Sequence, residues 1–129
     1  MKFILSISLA FSLLASHGLA ADGDPDISSE ARYKAATVSL SGNSNRVAVY
    51  VKGMVCSSCA IGVKIHLSKI DGVGRSDVQL DSKSQLAFIA LKEGFKIDLA
   101  KVRVAVESAG YVASEFFRWD GKTVKQIKL

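Results

Sequence analysis

Cys56 and Cys59 are the two cysteines of a 129-residue chain, and they stand together in Gly53-Met54-Val55-Cys56-Ser57-Ser58-Cys59. Two thiols with two residues between them can converge on one ion. Thiolate sulfur is a soft ligand and favours soft ions, Cu(I) among the first-row metals and Hg(II) by the same logic. Structural zinc takes four protein ligands, and catalytic zinc takes three plus water. Besides the cysteines the chain offers His17 and His66. His17 falls in a segment expected to be removed, and His66 lies two helical turns beyond Cys59. At 1.5 Å per residue that is roughly 10 Å along the axis, too far to share an ion. His66 therefore reads as a packed or half-exposed helix residue. A two-ligand site for Cu(I) or Hg(II) is the expectation, ahead of zinc.

The elements that must hold this pair follow from periodicity. Val47, Val49 and Val51 alternate with Arg46, Ala48, Tyr50 and Lys52, which predicts a strand with one buried face ending at Gly53. The period then changes. Cys59, Val63, Leu67 and Ile70 fall on one stripe of a helix closed by Asp71-Gly72. At its start, unpaired backbone amides favour the thiolate of Cys59. Val78 and Leu80 mark a second strand, Asp81-Ser82-Lys83-Ser84 a turn, and Ala87, Ile89 and Leu91 a third strand. Asp98 caps a second helix with Leu99, Val102, Val106 and Ala109 on its apolar stripe. Gly110 stops it, and Tyr111 to Trp119 reads as a fourth strand.

This order, βαββαβ, predicts an α+β ferredoxin-like sandwich: an antiparallel sheet with two helices on one face. Asp120-Gly121 is a hairpin signal that adds a C-terminal strand to it. Tyr50, Leu86 and Phe88 point to the opposite face. Either the added strand or the N-terminal arm is expected to cover them, with a partner or dimer contact as the competing account.

The remaining segments set the context. Lys2, the apolar run Phe3 to Ala15 and the small residues Gly18-Leu19-Ala20 form a secretory pattern, so residues 1–20 are expected to be a signal peptide. That run is shorter than the roughly 20 residues of a membrane span, and no later segment approaches it. Residues 21–44 read as a linker or loosely ordered arm, with the chain's one proline, Pro25, and a short strand at Thr37 to Leu40. Residues 45–118 form the expected domain, and 119–129 a C-terminal extension. The formal net charge of +5 is shared by scattered lysines and arginines, and export makes nucleic acid a poor partner. The acidic residues are dispersed, no serine–histidine or metal-hydrolase spacing occurs, and no enzyme active site is legible.

Gly-Met-x-Cys-x-x-Cys after a strand, then Leu67-Ser68-Lys69-Ile70-Asp71-Gly72-Val73, then Ser108-Ala109-Gly110-Tyr111, resembles the heavy-metal-associated domain. The likeness runs from about Arg46 to Phe117. This family includes copper chaperones, modules of metal-pumping ATPases and periplasmic mercury binders. The resemblance implies Cys56 and Cys59 as metal ligands, Met54 as a buried prop for the loop that Gly53 opens, and Tyr111 as the aromatic residue beside the site. It also implies a monomer or weak dimer in the periplasm that passes its ion to a membrane metal transporter or another thiol carrier. The arm and the tail exceed the usual domain.

The same cysteines support a rival reading, a thiol–disulfide redox protein. Thioredoxin-like enzymes set a cis-proline against their CxxC later in the chain, whereas Pro25 precedes it here. A plain structural disulfide would staple four residues and constrain the unfolded chain little.

Overall fold

The computed structural model describes residues 27–128 except Ser57 and Cys59. The expected signal peptide, residues 21–26 of the arm, Cys59 and Leu129 lie outside the described residues. The elements run α1 (Ser29–Leu40), β1 (Arg46–Lys52), α2 (Ala60–Leu67), β2 (Val78–Asp81), β3 (Leu86–Ala90), α3 (Leu99–Ser108), β4 (Val112–Trp119) and β5 (Val124–Lys128). A single 3-10 turn, Arg75–Asp77, leads into β2.

The five strands form one antiparallel sheet in the order β2-β3-β1-β4-β5. The hairpin at Asp120 does add the fifth strand. The Asp120 carboxylate accepts the Lys122 and Thr123 amides at 2.8 Å each, which closes that turn. β1 lies at the centre, and its side chains divide by strict alternation. Val47, Val49 and Val51 join Val63 and Leu67 of α2, Val102 and Val106 of α3, and Ile89 and Phe116 of the flanking strands in one core. α2 and α3 thus share one face, as the βαββαβ pattern requires. Ser114 is the extra residue where pairing shifts from Tyr50↔Glu115 to Val51↔Ala113. This bulge lets Ala113 and Phe116, three residues apart, face the same core.

The other face differs from expectation. The arm is not loosely ordered between Ser29 and Leu40, and Thr37 to Leu40 is helix, not strand. Ser28 caps α1 by accepting the Ala31 amide at 3.2 Å, and Glu30 lies in the first turn, where a negative charge is favoured. Ala36 and Leu40 pack on Ala48, Tyr50, Leu86, Phe88, Phe117 and Val124, forming a second apolar cluster. β1 is consequently buried on both faces from Val47 to Val51, not on one. Of the two covers anticipated for Tyr50, Leu86 and Phe88, the N-terminal segment supplies the layer.

α1 is held by charge as well as by contact. Arg32 is buried, and its guanidinium donates to Glu115 through Nη2 at 2.8 Å and Nε at 3.1 Å. The same group lies 4.1 Å from the centre of the Tyr50 ring, and it also donates to the Ile27 carbonyl. The two-pronged geometry matches the fork of the guanidinium to the carboxylate and satisfies several donors at once. The Tyr33 hydroxyl donates to the Val124 carbonyl at 3.0 Å and ties the helix to β5.

α2 ends earlier than Asp71-Gly72. After Leu67 the chain tightens into three-residue turns, with Lys69 N–H on His66 O and Ile70 N–H on Leu67 O. Gly72 then takes φ +83°, and a Cβ there would fall 2.4 Å from the Phe95 ring. Both the backbone angle and the close approach demand glycine at this position. No helix of the described residues is long and apolar enough to cross a membrane.

Candidate metal site

The CxxC loop leaves the sheet at the end of its central strand. β1 stops at Lys52, and Gly53 turns the chain with φ +93°. The half-buried Tyr111 ring stands beside Gly53, its carbons 3.5 and 3.8 Å from where a Cβ would sit. That spacing is ordinary contact, so the left-handed angle and not crowding selects glycine. Met54 then drops into the core, fully buried among the residues under α2 and α3. Its amide donates to Val51 O at 3.2 Å, and the Val55 amide donates to Gly53 O at 3.0 Å. A buried side chain and two local hydrogen bonds therefore fix the stem from which Cys56 projects.

Cys56 is partly exposed, and Val55 beside it is 42 % exposed. The Cys56 sulfur lies 3.5 Å from the Ser58 hydroxyl oxygen, and the Cys56 carbonyl accepts the Ala60 amide at 3.2 Å as α2 begins. Cys56 is disulfide-bonded. A bonded sulfur offers no free thiolate, so Cys56 needs reduction before it can act as a ligand. Among the described residues no group of three His, Cys, Asp or Glu side chains gathers to hold an ion. His66 sits half-buried in the last turn of α2, lining a shallow groove with Lys69, Ile70 and residues of α3.

Four of the five residues singled out from sequence can be placed. Gly53, Met54 and Cys56 share one loop, and Tyr111, arriving from the start of β4, packs on that loop. Cys59 lies outside the described residues. One residue at the loop was not anticipated. Gln85 is fully buried, with φ +54°, and it bonds both sides of the loop stem. Its carbonyl accepts the Val51 amide at 2.8 Å, and its side-chain oxygen accepts the Gly53 amide at 3.3 Å. The turn signal at Asp81-Ser82-Lys83-Ser84 lay next to it, but nothing in the local pattern sets Gln85 apart from a solvated turn residue.

No protein-family model matches the sequence. Among curated proteins, the mercuric transport protein periplasmic component of Salmonella typhi is 38 % identical over 68 residues. That alignment covers 53 % of this chain and 71 % of the relative. The chain belongs to the family of periplasmic mercuric transport components. Its resemblance to the heavy-metal-associated domain is thereby borne out. Two solved structures align as well. The oxidized MerP of Ralstonia metallidurans CH34 is 33 % identical, over 54 % of this chain and 92 % of that one, with a TM-score of 0.46. The CopZ metallochaperone is 24 % identical, over 53 % and 97 %, with a TM-score of 0.46. A little over half of this mercuric transport family member is thus shared with its relative, which leaves room for segments such as α1 and β5.

Proposed function

We propose that this chain is an exported carrier of a soft metal ion, binding it through Cys56 and Cys59 and passing it on by ligand exchange. The observation that carries this reading is the placement of Cys56: half-open, on a stem fixed by buried Met54, in a member of the mercuric transport family. Hg(II) is the first choice of ion because the relatives are named for mercuric transport, and Cu(I) is the second because it shares the preference for two thiolates. Residues 45–118 are the carrier domain, and the secretory pattern at residues 1–20 directs it to the periplasm.

The mechanism follows from thiol chemistry. A dithiol donor first reduces the disulfide, supplying two electrons and two protons and becoming oxidised itself. The two thiols then lose their protons as the ion binds, so uptake is favoured as pH rises. Release begins when a thiolate of the acceptor attacks the bound ion and displaces one cysteine, and a second attack displaces the other. Met54 and Gly53 keep the stem in place, and Tyr111 shields one side of it. The acceptor is a membrane metal transporter or another thiol carrier, and the carrier acts as a monomer or weak dimer.

Mass spectrometry of the reduced full chain offered Hg(II), Cu(I) and Zn(II) in turn tests the reading. The expected result is one Hg(II) or Cu(I) per chain, lost in Cys56→Ser and in Cys59→Ser. An absent soft-metal adduct, or one unchanged in both variants, overturns it. A chain that binds no metal yet rapidly oxidises or reduces a test disulfide supports the redox reading instead.

A further inference from the structure

Gln85 spends conformational freedom and burial at a place where neither is required by the sheet. A non-glycine residue at φ +54° is disfavoured by contact of its Cβ with the backbone, and a primary amide with no water around it must find partners. The ladder between β1 and β3 needs only the Gln85 carbonyl, which accepts the Val51 amide just beyond the Tyr50↔Leu86 pair. Any residue supplies a carbonyl, and glycine would supply it without strain. Glutamine adds a side-chain oxygen that accepts the Gly53 amide. The Gly53 carbonyl in turn accepts the Val55 amide, one residue before Cys56. The turn before Gln85 is itself closed by Asp81, whose carboxylate accepts the Lys83 amide at 3.0 Å and the Ser84 hydroxyl at 2.6 Å. The turn between β2 and β3 is thereby linked to the root of the cysteine loop at the end of β1.

We propose that Gln85 is a positioning residue for the cysteine pair: it pins Gly53 so that the loop keeps one geometry while the cysteines exchange metal. This rests on the metal-carrier reading above. Groups that orient ligands without touching the ion are worth about ten- to a hundredfold in metal affinity when removed. The loop is short, and among its described residues Gly53 is tied to the sheet by a side chain from another strand turn.

Two variants of the full chain separate this role from simple packing. Gln85→Gly removes the side chain and relieves the backbone, and Gln85→Met keeps the bulk but has no oxygen for Gly53. Each is reduced, loaded with mercuric chloride and titrated with a competing dithiol, and its thermal unfolding is followed in parallel. The expected result is that both unfold within a few degrees of the wild type but lose Hg(II) to the dithiol at concentrations about tenfold lower or less. Variants that hold and release Hg(II) like the wild type overturn the role of Gln85 and leave the carrier reading intact. A wild-type chain that takes up no Hg(II) overturns the carrier reading itself. Amide exchange of the reduced wild type gives a measurement independent of any variant: the Gly53 N–H should be protected, and free exchange there contradicts the proposal.

Discussion

The two faces of the sheet are held in different ways. Beneath α2 and α3 the contacts are apolar throughout, from Val47 and Val49 to Leu67, Val106 and Phe116. Beneath α1 a smaller apolar cluster surrounds a buried ion pair, Arg32–Glu115, whose side chains are 9 % and 12 % exposed. The first face carries the cysteine loop through Met54. The second closes a surface that the βαββαβ unit alone would leave wet. An apolar face tolerates many residues of similar size, whereas an ion pair is all or nothing: with one partner gone, the other is left buried and uncompensated.

That contrast predicts the largest effect at the pair. Arg32→Ala should cost about 3–5 kcal/mol in chemical denaturation, because it strands the Glu115 carboxylate. The double change Arg32→Met with Glu115→Leu should recover most of it. Equal losses in the single and double variants would show that α1 is held by something other than the charge match. On the opposite face Leu67→Ala should cost about 2–5 kcal/mol through a cavity under α2. Hydrogen exchange should show its loosening around α2 and the cysteine loop, while α1 keeps its protection. A smaller change, Ser28→Ala, removes the cap of α1 and should cost about 1 kcal/mol, read as a lowered unfolding midpoint.

The smallest effect concerns the β4–β5 hairpin. The Thr123 and Lys122 amides hold the Asp120 carboxyl below its ordinary value of 3.8. A carboxylate with a depressed folded value stabilises the fold above its unfolded value, and that contribution disappears as pH falls through the folded one. Protection of the Lys122 and Thr123 amides, taken relative to intrinsic exchange at each pH, should therefore fall below about pH 3.8, while α1 is unaffected by this group. Unchanged protection across that range would remove Asp120 from the account of the turn.

How much of each face was legible follows from the same difference. The α2 and α3 face announced itself by period: Val47, Val49 and Val51 at spacing two, and Val63 and Leu67 at spacing four. Asp98 was readable as a cap, and it does accept the Ala100 amide at 2.9 Å. α1 was not readable, because its buried stripe is Arg32, Ala36 and Leu40, where only leucine is strongly apolar. Val38 misleads further, since it is 78 % exposed on the solvent side, and with Thr37 it imitates a strand. The partner of Arg32 lies 83 residues away on β4, a separation that no local pattern reports. At the cysteine loop, the motif pointed to the turn at Gly53, the burial of Met54 and the nearness of Tyr111, while their part in binding is a proposal. Gln85 was hidden because its left-handed angle and its reach to Gly53 depend on how β1 and β3 pair.

Backbone amide chemical shifts of the reduced full chain, recorded before and after one equivalent of Hg(II), test the central claim most directly. Large changes are expected, confined to the loop from Gly53 to Ala60 and to the neighbours Gln85 and Tyr111, with α1 and β5 unmoved. Shifts spread over α1, or no shifts in the cysteine loop, would contradict it.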